Sequence, residues 1–371
     1  MSVAEIDEKQ ARLVPLIAGG GLAGVLLATH HNIAWLTGGR SHRVDASRET
    51  GTPRLLVTAE GRRFVLANAI EMARLRDEVL ADLDVEPIEY PWTADQNSAH
   101  ALGVARSIVG GAAPIGADWP LPGAPMSEPV LARARSLLTG AEIERYRALG
   151  RDCGTVVGDV CRRVRPGEDE REIAATIMLS LTAINARAIV LLVGADDRVG
   201  KYRHPVPTAT RWKQVVLVAV CAERDGLIAC LSRVVATRAA PADLEVRTRA
   251  AAAVFGRLLD ATSAGTTGAQ LFDIAAAAYR DAGFAGEEAL HHQGGATGYR
   301  AREWIAHPAS KDVVQARQAF AWNPSITGTK VEDTALLVDG GIELITSTPG
   351  WPAIEMTIGG RTLLATDVLR V

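Results

Sequence analysis

The residues able to do chemistry gather in three segments of this chain. They are RHPVPT with His204, HHQGGATGYRARE from His291 to Glu303, and AFAWNPSITGTKVEDTALL with Asn323, Ser325, Lys330 and Glu332. A neutral imidazole, with a pKa near ~6.5, takes a proton from water and returns it to a leaving nitrogen. His204 is such a group, although a histidine before a proline also serves simply to cap a loop. His291 and His292 are adjacent, so on extended backbone their rings point opposite ways and only one enters a common cavity. Arg300 and Arg302 alternate around Ala301. That spacing puts both on one face of an extended segment, where they clamp a carboxylate or stand in solvent as ordinary surface arginines.

Asn323 and Ser325 each donate and accept hydrogen bonds, which suits a carbonyl, amide or carboxylate; the Asn-Pro and Thr-Gly steps beside them equally mark turns. Tyr299 lies in the same polar stretch. Glu332 sits on a strand ahead of apolar Ala335–Val338, so if buried it needs a partner. That partner is either a reacting group or a structural cation such as Lys330, Arg233 or Arg302. Cys230, in ACLSR, is a nucleophile if a histidine activates it and a space-filler otherwise. Ser232 follows two residues later with no GxSxG elbow around it. The glycine-rich HHQGGATGY lacks the GxGxxG order of a nucleotide cradle.

These residues are carried by elements whose periods are legible. Over the first ~140 residues strands and helices alternate, as in a small α/β domain. Strands are expected at GVLLAT (24–29), RLLVTA (54–59) and RFVLAN (63–68), with helices over Ala4–Ile17, Ile70–Leu80 and Leu102–Val109. Gly110–Pro129, rich in Gly, Ala and Pro, reads as the passage to the next domain. From Ala141 a long amphipathic helix begins, and an internal repeat follows. The block VRPGEDEREIAATIMLSLTAI resembles the later TSAGTTGAQLFDIAAAAYRDAGF, and each leads into strands. The repeat predicts a duplicated α+β unit, with domains at 1–138 and 139–371.

Composition bounds the rest. At 371 residues, 48% apolar and 22% charged, the chain is long enough for two domains with a substantial core. A net charge of −3 gives no basic field, so nucleic acid is not an expected partner. Four cysteines, none in a CxxC pair, read as reduced thiols of a cytoplasmic protein. The polar N-terminus carries no expected secretory signal, and no apolar run nears the ~18 residues of a membrane span.

In series, HNIAWLTGG (His31–Gly39), VVLVAVCAERDGLIACLSRVV, HHQGGATGYRARE and AFAWNPSITGTKVEDTALL resemble the creatinase/aminopeptidase P/prolidase family, peptidase family M24. The resemblance covers nearly the whole chain. It implies the pita-bread fold, an α+β domain of two helix-pair and antiparallel-sheet halves, preceded by a creatinase-like amino-terminal domain. It also implies a homodimer. Members with a metal pair hold it with two Asp eleven residues apart, a His and two Glu. Here Ala219, Cys230, Gly295 and Asn323 stand at the first four of those positions, and only Glu332 is kept. The expected metal set is therefore none, and no cofactor is expected.

The creatinase branch lacks the metals as well. It uses a His at the position of His204 as general acid/base and a carboxylate at that of Glu332 to bind a guanidinium-type substrate. Where it has a second carboxylate this chain has Ser232. His291 matches a substrate-contacting His of the aminopeptidase P relatives and is the histidine expected to point inward. The leading expectation is a metal-independent hydrolase cleaving a C–N bond of a small amide, amidine or modified amino acid. His204, Glu332 and His291 would be catalytic; Asn323, Arg302, Ser325, Tyr299, Cys230 and Ser232 would surround the substrate. The alternatives are a non-catalytic module binding a peptide or protein, and a lyase or isomerase using the same acid/base pair.

Overall fold

An apolar strand with no polar face must be covered on both sides, and β1 (Gly24–Thr29, GVLLAT) is buried along its whole length. It sits inside the first of two units into which the chain divides, one reaching Glu142 and the other starting at Ile143. The computed structural model describes residues 3–371. The other elements of the first unit are α1 (Val3–Gly19), α2 (His30–Leu36), β2 (Thr50–Thr58), β3 (Arg63–Asn68), α3 (Met72–Arg74), β4 (Glu86–Tyr90), α4 (His100–Val109), β5 (Ile115–Ala117) and α5 (Glu128–Arg135). Their five-stranded sheet runs β4-β3-β2-β1-β5. Helix α1 buries Ile6, Lys9, Leu13 and Ile17, one stripe at three- and four-residue spacing. The buried Lys9 is neutralised by Glu5 at 2.6 Å and Glu142 at 2.8 Å, and donates to the Trp35 carbonyl at 2.7 Å. Asp118 ties the end of β1 to α2 by accepting the backbone N–H of Ala28 and Thr29, at 2.8 and 3.1 Å, and the Asn32 amide at 3.0 Å.

Two expectations for this unit need correcting. The helix predicted over Ile70–Leu80 is present over Met72–Val79, but only α3 is α-helical and Leu75–Val79 continues it as a wider π-helical turn. The passage predicted over 110–129 holds β5 and the start of α5, whose Pro129 occupies the first turn, where a missing N–H costs nothing.

The second unit starts within α6 (Gly140–Arg163) and continues through α7 (Glu170–Ala183), β6 (Arg187–Ala195), α8 (Asp197–Lys201), β7 (Val215–Arg224), β8 (Leu227–Ala236), α9 (Leu244–Ala261) and α10 (Gly268–Asp281). Then come β9 (Gly294–Thr297), β10 (Gln318–Trp322), β11 (Ser325–Ile326), β12 (Thr329–Lys330), β13 (Asp333–Val338), β14 (Gly341–Leu344), β15 (Ala353–Ile358), β16 (Arg361–Thr366) and β17 (Leu369–Arg370).

The duplication is visible bond by bond. Asp169 caps α7 in a reciprocal box with Glu172, and Thr267 caps α10 with Gln270. Two residues before each cap a glycine with positive φ, Gly167 or Gly265, donates its N–H at 2.9 Å to the carbonyl of Trp212 or Val314. The halves supply four-stranded sheets ordered β17-β8-β7-β6 and β14-β13-β10-β9. These meet where Ser232 of β8 donates its N–H to the Glu332 carbonyl beside β13, at 3.0 Å. Helix α6 lies close against the chain after β14. A Cβ on Gly154 would stand 2.5 Å from the carbonyl oxygens of Thr346 and Ser347. No helix among the described residues is long and apolar enough to cross a membrane.

Candidate active site

Strand pairing places the first wall of the site. Asp225 and Gly226, both at positive φ, form the two-residue turn between β7 and β8, so Arg224 faces Leu227 and the register follows outward from there. Ala219 then lies opposite Ser232, and Cys221 opposite Cys230. Period-two alternation turns these side chains to one face. They meet β6, the segment 298–304 and the residues Asn323, Lys330 and Glu332 around a cavity of about 360 Å³. His204, Ala219, Cys221, His292, Arg302, Asn323, Lys330 and Glu332 line it, with Val190 and Leu192 as an apolar side.

Glu332 is buried, and its carboxylate is fully engaged. One oxygen accepts the Ser232 hydroxyl at 2.5 Å and faces the Lys330 ammonium at 3.5 Å; the other faces Arg302 at 3.4 Å. Burial pushes the Glu332 carboxyl up, but Lys330, Arg302 and the Ser232 hydroxyl together outweigh it and hold it below the usual carboxylate range. The ion pairs predicted with Lys330 and Arg302 are therefore present, while Arg233 pairs instead with Asp333 at 3.1 Å. A carboxylate so occupied is a weak base and a firm anchor for its cations.

The histidines form a chain of donors and acceptors. His291 Nδ1 reaches the His292 carbonyl at 2.5 Å, and since a carbonyl only accepts, that nitrogen carries the proton. In a neutral ring Nε2 is then the acceptor, so at 3.1 Å it takes the N–H of His204 Nε2. The lone pair of His204 is left on Nδ1. Burial and the nearby Lys330 push the His204 pKa below its ordinary value, against the opposing pull of Glu332. Burial and the same lysine lower His291 to about 3, while burial and Arg302 lower His292 to about 4. All three rings are neutral at physiological pH.

The sequence-predicted residues are only partly brought together. His204, Arg302, Asn323 and Glu332 line the cavity, and Ser232 and Cys230 stand directly behind Glu332 and Arg302. Ser325 lies outside it, its hydroxyl accepting from Arg203 at 3.1 Å. Tyr299 is buried, its backbone N–H donating to Glu303 at 3.2 Å. The two histidines do not diverge: their rings stack at 4.5 Å, because this stretch is not extended. His292 reaches the cavity wall, and His291 reaches His204. Nor do Arg300 and Arg302 share a face, since 298–304 is a series of bends that leaves Arg300 exposed. His292 and Cys221 line the cavity without having been expected there; the Asp-Gly turn alone fixes the pairing that places Cys221.

Comparison with known proteins fits this geometry. The model of metallopeptidase family M24 matches residues 144–345. The chain belongs to family M24. Among curated proteins, no sequence matches it. Similar solved structures include the dipeptidase PepE from Mycobacterium ulcerans, at 20% identity and a TM-score of 0.79 over 100% of both chains. The prolidase from Pyrococcus horikoshii OT3 is 17% identical with a TM-score of 0.77, over 92% of this chain and 98% of that one. The N-terminal domain of the FACT complex subunit SPT16 from chickpea is 13% identical with a TM-score of 0.65, over 92% and 96%. Such likenesses establish the pita-bread fold with its amino-terminal domain.

The family name implies metal, and the residues of this M24 chain do not fit one. Among the described residues no group of three or more His, Cys, Asp or Glu is placed to hold an ion. At Gly295, where the resemblance puts a histidine ligand, a Cβ would collide with the Trp304 carbonyl and lie 2.9 Å from the Ile305 Cα. No side chain grows there without moving backbone. Arg302 and Lys330 flank the one carboxylate left, and both repel a divalent cation.

Proposed function

We propose that this M24 protein is a hydrolase that cleaves a C–N bond of a small amide or modified amino acid without a metal pair, with His204 as general acid/base. The observation carrying this reading is the His204–His291 contact of 3.1 Å on the rim of a cavity that also holds Glu332, Arg302 and Lys330. His204 Nδ1 takes a proton from an attacking water while its Nε2–H stays hydrogen-bonded to His291. The resulting imidazolium, made acidic by Lys330, gives that proton to the departing nitrogen, so the histidine ends neutral. His291 is a positioning residue: it fixes the tautomer through the His292 carbonyl.

Charge selects among substrates. Arg302 and Lys330 against Glu332 leave the cavity one positive charge in excess, which suits a carboxylate-bearing amide or amino acid over a cationic amidine. Among the described residues the buried Asn323 Oδ1 and His292 Nδ1 have no hydrogen-bond partner, so the wall of the cavity keeps unspent polar capacity. Once a screen of N-acyl and N-carbamoyl amino acids yields a turned-over compound, His204→Ala lowers kcat by about 100-fold or more. Unchanged kinetics in that variant would remove His204 from the chemistry. Turnover without water incorporation would point to a lyase, and binding without turnover to a binding module.

A further inference from the structure

The cavity wall carries a feature that hydrolysis does not use. Cys221 and Cys230 face each other directly across β7 and β8, with their sulfurs 3.2 Å apart. The backbone of Cys230 is turned away from β7: its N–H donates to Thr334 Oγ1 at 2.8 Å, and its carbonyl accepts from that hydroxyl at 2.9 Å. The two cysteines are therefore a non-hydrogen-bonded cross-strand pair. Such pairs hold their Cα atoms about 4.5 Å apart, inside the disulfide range of about 4.4–6.8 Å. Cys221 is half-buried and lines the cavity; Cys230 is fully buried behind it, with its sulfur 3.4 Å from Arg302 Nη1.

We propose that Cys221 and Cys230 are a modification site, oxidised to an intramolecular disulfide by hydrogen peroxide entering the cavity. The pair supplies what the reaction needs. One sulfur is reachable by a water-sized oxidant, the other is held in line behind it, and a guanidinium favours a thiolate. The hydrogen bond with Cys221, despite burial, and the Arg302 charge hold the Cys230 thiol below its ordinary pKa; the same contact and burial raise Cys221. The charge rests first on Cys230, and a proton passing from Cys221 to Cys230 across the 3.2 Å gap presents the thiolate to the cavity. The Cys221 thiolate attacks one peroxide oxygen, the O–O bond breaks, and the hydroxide that leaves takes up the proton lost when the pair ionised, giving a sulfenic acid and the first water. The Cys230 sulfur then attacks Cys221 Sγ and expels the sulfenic oxygen, which departs as water with the Cys230 proton. Two thiols are oxidised, one peroxide is reduced, and two waters form. The disulfide removes the Cys230 thiol as a partner of Arg302, leaving that cation to Glu332 and to any bound anion.

The test uses the full-length protein and does not depend on the hydrolytic reading. Reduced protein is exposed to hydrogen peroxide, its remaining thiols are alkylated under denaturing conditions, and peptides are mapped by mass spectrometry. A cross-link joining Cys221 to Cys230, with Cys153 and Cys161 still alkylated, is the expected result. Both pair members alkylated, or either found as sulfinic acid without the cross-link, overturns the proposal. In Cys230→Ser, peroxide followed by dimedone should label Cys221. An unlabelled Cys221 in folded Cys230→Ser overturns the assigned order of attack.

Discussion

Lys330 is the residue through which the site's charge and its proton chemistry are joined. Its ammonium lies 3.5 Å from Glu332 and lowers the pKa of His204. In the proposed reaction His204 is a base only when neutral, so kcat/KM is expected to fall as pH drops through its pKa, with that limb below pH ~6.5. Lys330→Met removes a positive charge beside the ring and so moves the limb to higher pH. A pH–rate profile checks this, and a limb that stays in place would remove Lys330 from the tuning of His204. At this scale the sequence showed the residue types but not their directions. His291 and His292 stack because the chain before β9 is bent, and no local pattern announces that bend. Ser325 carries the right chemistry yet faces Arg203, a partner 122 positions away.

Elements explain why the site tolerates so many substitutions. The cavity is built on β6 and the hairpin β7–β8, whose register is fixed by backbone ladders whatever side chains the strands carry. The hairpin was readable from ERDGL, and the duplication from two capped helix starts, Asp169 and Thr267. The short β5, and β4 with Pro87 inside it, were not, since neither shows a clear period. Contact between α6 and the strand region was also hidden, although its glycines were in view. Gly150, Gly154 and Gly158 face Ile345, Ser347 and Thr348 at four-residue spacing. Gly154→Ala gains helix propensity but puts a methyl against two carbonyls, so we predict a net loss of about 1–3 kcal/mol in chemical denaturation. A stabilised variant would mean that this contact is looser than the fold requires.

For the whole molecule, neutral buried imidazoles set the response to acid. His42 in the first unit and His291 in the second are lowered to about 3, and His292 to about 4. Their folded pKa values lie below the unfolded ~6.5, so between those values the unfolded chain binds protons that the folded chain refuses. Their contribution to stability is complete above about pH 6.5 and is lost as pH falls towards 4 and then 3. Thermal unfolding across that range should show Tm falling steadily, and a flat Tm would contradict the neutral assignment. The M24 fold was legible from motifs spread over the chain, whereas the state of its cavity required the register.

We propose that a histidine pair and two cations do the work in this M24 cavity that metal ions do in the metal-dependent members. Calorimetric titration of manganese, zinc and cobalt into chelator-treated protein, paired with turnover in the presence of chelator, tests it most directly. No stoichiometric binding, with activity indifferent to chelator, is the expected result. Two ions bound per chain, with cleavage of Xaa-Pro dipeptides that chelator abolishes, would contradict it.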